Sequence, residues 1–116
     1  MDVTVMTQGL AFPEGPVALS DGAVLVVEIQ RGTLTRVAED GTQSIVAELG
    51  GGPNGAALGP DGHCYICNNG GFEWHKGRDG RVFPGEQPAN YTGGRIERVD
   101  LKTGAVETLY EACNGE

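Results

Sequence analysis

Phe12-Pro13-Glu14-Gly15-Pro16-Val17-Ala18-Leu19-Ser20-Asp21-Gly22 returns forty residues later as Gly52-Pro53-Asn54-Gly55-Ala56-Ala57-Leu58-Gly59-Pro60-Asp61-Gly62. Pro13 falls on Pro53, Gly15 on Gly55, and Asp21-Gly22 on Asp61-Gly62. The register runs on, with Val24-Leu25-Val26-Val27-Glu28 over Cys64-Tyr65-Ile66-Cys67-Asn68. It then breaks and recovers: Gly32-Thr33-Leu34-Thr35-Arg36-Val37 matches Gly94-Arg95-Ile96-Glu97-Arg98-Val99. An apolar segment closes each copy, Ser44–Glu48 in the first and Ala105–Tyr110 in the second. The second copy therefore carries an insertion from about residue 69 to 93.

Each copy reads as four short strands. Asp-Gly at 21–22, 40–41 and 61–62 supplies the residues that hairpin turns require. Val24–Val27 is continuously apolar, as in a strand covered on both faces, whereas the Leu34 region alternates. Four antiparallel strands repeating at about forty residues are the signature of β-propeller blades. The expected fold is all-β, the first two four-stranded blades of a ring. The expected boundaries are a closing strand in 1–8, blade one over 9–50, and blade two over 51–116 with its insertion. Val3-Thr4-Val5-Met6 would be the closing strand. A propeller needs about 4–8 blades, each burying its faces against neighbours, so the chain reads as part of a longer protein. The alternative fold is a small complete β-sandwich.

Composition agrees. The 116 residues include 20 Gly and 6 Pro, a balance suited to short strands and tight turns rather than helices. Sixteen acidic against eight basic residues leave a formal net charge of -8. Such a surface repels phosphate backbones and anionic lipid, which argues against nucleic-acid and membrane partners. No apolar run reaches the roughly 20 residues of a membrane span. Three cysteines, Cys64, Cys67 and Cys113, with no signal-peptide pattern at the start, point to reduced thiols and a cytoplasmic setting.

The stretches Gly9–Pro16 and Gly51–Gly62, with Cys67-Asn68-Asn69-Gly70-Gly71-Phe72-Glu73-Trp74, resemble the SMP-30/gluconolactonase/LRE-like family. The resemblance covers nearly the whole chain. It implies a six-bladed propeller with one divalent metal, usually Ca2+, in the central channel. It implies hydrolysis of a small-molecule lactone or ester, the metal polarising the carbonyl. Glu14 matches that family's first metal ligand. A carboxylate is a hard oxygen donor suited to Ca2+, and Gly15 lets the backbone come close. The bland reading of Glu14 is a surface glutamate in a turn.

Asn54 stands where Glu14 stands in the first copy, so it is expected to line the channel and touch substrate or water. The alternative is an asparagine satisfying a turn. Asn68, ending the second strand of its blade, is a second substrate-contact candidate against the same alternative. By resemblance the other ligands and the general base lie beyond Glu116. This piece alone is therefore expected to be inactive, since one carboxylate is far short of the 6–8 oxygens calcium takes. A non-catalytic propeller binder and a strictosidine-synthase-like, non-hydrolytic enzyme are the rival functions.

The insertion holds Phe72, Trp74, His75, Phe83 and Tyr91 among Gly and Pro. Long loops in compact folds often form lids, so it is expected to overhang the channel and shape substrate choice. Cys64-Tyr65-Ile66-Cys67 has a redox or zinc spacing, but residues three apart on a strand face opposite ways. Buried structural cysteines are expected instead. His63 should follow the Asp61-Gly62 turn at a strand edge. Substrate identity, metal identity and oligomeric state are not legible.

Overall fold

A computed structural model describes residues 2–112. Ten strands and no helix occur in that range: β1 (Pro13–Ala18), β2 (Val24–Glu28), β3 (Thr33–Val37), β4 (Gln43–Glu48), β5 (Pro53–Leu58), β6 (Cys64–Asn68), β7 (Trp74–Lys76), β8 (Val82–Pro84), β9 (Arg95–Val99) and β10 (Val106–Tyr110). β1-β2-β3-β4 form one antiparallel meander, and β5-β6-β9-β10 form a second. These are two propeller blades, as the repeat predicts. β7 and β8 pair only with each other, a separate hairpin inside the 69–94 segment between β6 and β9.

The repeat is visible in the hydrogen bonds as well as in the letters. Leu19 N donates to Ala23 O at 2.8 Å, and its counterpart Gly59 N donates to His63 O at 2.9 Å. Asp21 Oδ1 accepts from Ala23 N at 2.9 Å, and Asp61 Oδ1 from His63 N at 3.0 Å. The Asp-Gly pairs thus close the β1–β2 and β5–β6 hairpins, the aspartate capping the turn while glycine takes φ of 86° and 79°. Even the ion pairs repeat: Arg36 on β3 holds Asp21, and Arg98 on β9 holds Asp61 at 2.9 Å.

The two sheets converge at β1 and β5. At the point of closest approach Gly15 has φ of 56°, and a Cβ there would sit 2.9 Å from Ala56 N and 3.2 Å from Gly55 Cα. Glycine is therefore required twice over, for conformation and for space. The apolar core lies between the blades. Leu25, Val27, Leu34 and Ala47 of blade one meet Cys64, Ile66 and Val99 of blade two, all at most 5% exposed.

Blade one's opposite face carries Val26, Glu28, Thr33 and Thr35. Residues 6–11 cross it: Thr7 Oγ1 donates to Gly41 O, Gln43 Nε2 to Gln8 O, Arg31 Nη2 to Gly9 O, and Ala11 N to Glu28 Oε1. Val3–Met6 itself is unpaired, with Val3 86% exposed, so the expected closing strand has no ladder partner among the described residues. No described helix is long and apolar enough to cross a membrane.

Candidate functional site

Glu14 and Asn54 occupy equivalent places on the innermost strands of the two blades. Each stands one residue ahead of the glycine at the blade–blade contact, Gly15 or Gly55. Each also sits at a register break: pairing with β2 jumps between Glu14 and Val17, and pairing with β6 jumps from Pro53 to Gly55. Such bulges re-aim side chains next to functional sites. Both side chains are exposed, so both hard oxygen donors point away from the packed interior.

Asn68 is placed differently. It is 4% exposed, and all four bonding positions of its amide are used. Oδ1 accepts from Gly52 N and Gly70 N, both at 2.9 Å, and Nδ2 donates to Gly50 O and Glu97 Oε1, both at 3.0 Å. An asparagine amide has two donors and about two lone pairs, so nothing remains for a ligand. What Asn68 does is tie the end of β6 to the linker that enters β5.

Its counterpart in blade one, Glu28, does the same with different chemistry. The fully buried carboxylate accepts from Ala11 N at 2.7 Å, Arg31 Nε at 2.8 Å, Thr33 Oγ1 at 3.0 Å and Thr35 Oγ1. Burial alone would raise its pKa, but the bonds from Thr35, Ala11 N–H and Thr33 and the Arg31 charge outweigh it and hold the group ionised. In blade two the carboxylate has moved one strand over. Glu97, at the β9 place that corresponds to Thr35, is 3% exposed and pairs with Arg95 Nε at 3.2 Å. Arg95 Nη2 also donates to Leu49 O at 2.7 Å, another tie to the inter-blade linker. The sequence reading missed this pair of buried carboxylates. Glu28 lying over Asn68 in the repeat was the available signal.

The insertion is rooted beside Asn54. A Cβ on Gly71 would sit 3.2–3.3 Å from Gly51, and a Cβ on Gly52 would collide with the Asn69 side chain. Its interior is hydrogen-bonded: Glu73 N to Glu86 O, Gly85 N to Glu73 O, and Tyr91 N to Pro88 O. Phe12 packs against Trp74 at a tilt of 54° with ring centroids 5.1 Å apart, and Phe72 meets Trp74 edge-on at 5.9 Å. These aromatics pin the insertion to the segment entering β1. A cavity of about 280 Å³ opens between the insertion and the inter-blade linker.

Two smaller expectations are settled. Cys64 is buried, its thiol pushed up to about 11 by that burial, but Cys67 is exposed, correcting the reading of both as buried. Strand alternation sends the two thiols to opposite faces, and only Cys64's face meets blade one. Cys113 lies outside the described residues. His63 sits between Asp61 (3.7 Å) and Asp100 (3.6 Å), remote in the blade from Glu14, at the hairpin end of β6.

Two converging four-stranded antiparallel blades, with Glu14 and Asn54 exposed at equivalent positions of β1 and β5, define part of a β-propeller. Residues 12–116 match the SMP-30/gluconolactonase/LRE-like region, and the chain belongs to that family. No curated protein matches the chain.

Proposed function

We propose that these blades belong to a metal-dependent hydrolase of the gluconolactonase type, acting on sugar lactones or related esters. The observation that carries this reading is the placement of Glu14. It is an exposed carboxylate on β1 at a register break, one residue before Gly15, which meets Gly55, the residue after Asn54, at the blade contact.

The donor chemistry fits a hard divalent cation such as Ca2+. Glu14 would hold it, and the remaining oxygens would come from outside this chain, since no cluster of three ligating side chains occurs among the described residues. When bound, such an ion supplies Lewis-acid polarisation of the scissile carbonyl. Asn54 orients the substrate through its amide. Asn68 and Arg95, the latter paired with Glu97, act beneath it by fixing the linker from Leu49 to Gly52, and hence the entry of β5 on which Asn54 rides.

Replacing Glu14 by Gln tests this. The substitution keeps size and polarity but removes the charge that a cation needs. Metal affinity, read by calorimetry, should fall with lactone hydrolysis while the fold is unchanged. Retention of both by the variant would remove Glu14 from the site.

A further inference from the structure

Glu14 and Asn54 share one sequence frame, Pro-x-Gly, on the inner strands of the two blades, but the backbone around them differs. Phe12, two residues ahead of Glu14, has φ of 61°, and Gly15, the next residue on, has φ of 56°. Their counterparts Gly52 and Gly55 both lie outside the left-handed region, although glycine enters it freely. The blade fold therefore does not require this conformation; it belongs to the strand that carries the carboxylate. We propose that Trp74 of the insertion is a positioning residue for Glu14, bracing Phe12 in its left-handed turn and so fixing how the carboxylate is presented. The assignment rests on the reading of Glu14 as a metal ligand. It goes beyond that reading by making the insertion a determinant of metal affinity.

Phe12 holds its conformation against its own preference. It is the one non-glycine residue with positive φ among those described. A bulky side chain disfavours that region, and a following proline pushes the residue before it toward extended backbone. Core burial does not account for it, since Phe12 remains 37% exposed. Two things hold it instead. Its main chain is fixed by Ile29 N, which donates to Phe12 O at 2.9 Å, and by Gln30 N, which donates to Ala11 O at 3.2 Å. Its ring is stopped by Trp74, with centroids 5.1 Å apart. Strained residues of this kind persist only where their surroundings over-determine them, and they cluster at functional sites.

Trp74 is rigid enough to act as that stop. It pairs with Pro84 across the β7–β8 hairpin, and Phe72 meets its ring edge-on. Beside it Glu73 N donates to Glu86 O at 2.8 Å and Gly85 N to Glu73 O at 2.7 Å. The path from Phe12 to Glu14 is short and stiff as well. Only Pro13 intervenes, and its ring holds φ near about −65°. Relaxation of Phe12 toward extended backbone would swing Pro13 and Glu14 together. The β1–β2 register breaks directly after Glu14 and resumes only at Val17, so the ladder resists such a swing weakly.

Calorimetric titration of the full protein with Ca2+ tests the role. Loss of a group that orients a metal ligand typically lowers affinity about 10–100-fold. Trp74→Ala should weaken Ca2+ binding about tenfold, and Trp74→Phe should restore most of it. Phe12→Gly, which accepts the left-handed backbone but lacks the ring, should weaken binding to a similar degree. The double variant Phe12→Gly with Trp74→Ala should be no weaker than the worse single one, because both act through one contact. A role limited to anchoring the insertion predicts a lower melting temperature with Ca2+ affinity unchanged. That result would overturn the proposal, as would additive losses or a Trp74→Phe variant as weak as Trp74→Ala. Glu14→Gln separates the two readings. If it abolishes Ca2+ binding while Trp74→Ala binds like wild type, only the positioning role fails. If it binds like wild type, the metal-ligand reading fails and takes the positioning role with it.

Discussion

Replacing Asn68 by Ala removes four hydrogen bonds at the joint between the blades. Two of the abandoned groups, Gly52 N–H and Glu97 Oε1, are buried, and each costs about 1–3 kcal/mol when left without a partner. The other two, Gly50 O and Gly70 N–H, are only partly buried and recover bonding from water. The expected loss is about 3–5 kcal/mol, near the top of the range for single substitutions. Urea unfolding followed by circular dichroism would read it as a lower midpoint at unchanged slope. Asn68→Asp is the sharper test, because it puts a second carboxylate where Nδ2 now lies 3.0 Å from Glu97. Repulsion raises the introduced carboxyl's folded-state pKa above its unfolded value, so the native state binds more protons. Stability of that variant is then kept at low pH and lost as pH rises above about 4. Giving blade two the arrangement of blade one, Asn68→Glu with Glu97→Thr, should recover much of what Asn68→Glu alone loses. An Asn68→Ala loss below about 1 kcal/mol, or an Asn68→Asp variant whose stability does not fall with pH, would refute the reasoning.

Gly15→Ala should cost about 1–3 kcal/mol, from a left-handed alanine and a Cβ 2.9 Å from Ala56 N, with lactonase activity falling alongside as β1 is pushed off β5. Thermal unfolding beside an activity assay checks it, and an unchanged melting point would contradict the blade contact. Asp61 has its carboxyl lowered to about 2 by the Tyr65 hydroxyl, the His63 N–H and Arg98, so it is ionised where the unfolded chain is protonated. That contribution is present above about pH 4 and is lost as pH falls toward 2. Asp61→Asn should flatten the acid limb of a melting-point-against-pH curve, and superimposable limbs would dismiss the idea. In the 116-residue chain, where no further blade covers that face of β6, alkylation with peptide mapping should modify Cys67 first and leave Cys64 protected until unfolding, the reverse order contradicting the burial assignment.

The strands were legible because their signals are local and repeat. Asp-Gly turns, the apolar run at Val24–Val27 and the fixed offset between Pro13-Glu14-Gly15 and Pro53-Asn54-Gly55 each follow from one backbone geometry used twice. Glu14 and Asn54 were legible for the same reason, as positions. The network beneath them was not. Its carboxylate sits on β2 in one blade and on β9 in the other, so no residue type recurs at either place. What recurs is a function, tying the end of each blade's second strand to the segment entering that blade's inner strand, and that is a matter of three-dimensional bonding rather than of letters. Asn68 looked like a free amide at a strand end because its four partners are glycine backbone and a residue 29 positions away. Cys67 was misread because which face of an outer blade is covered depends on its neighbour, not on its own alternation.

The most direct test of the central claim is lactone hydrolysis by the full protein, measured with and without a divalent-metal chelator. The account predicts turnover of a sugar lactone that chelation abolishes and added Ca2+ restores. Turnover indifferent to chelation, or none with any lactone in a metal-replete preparation, would contradict it.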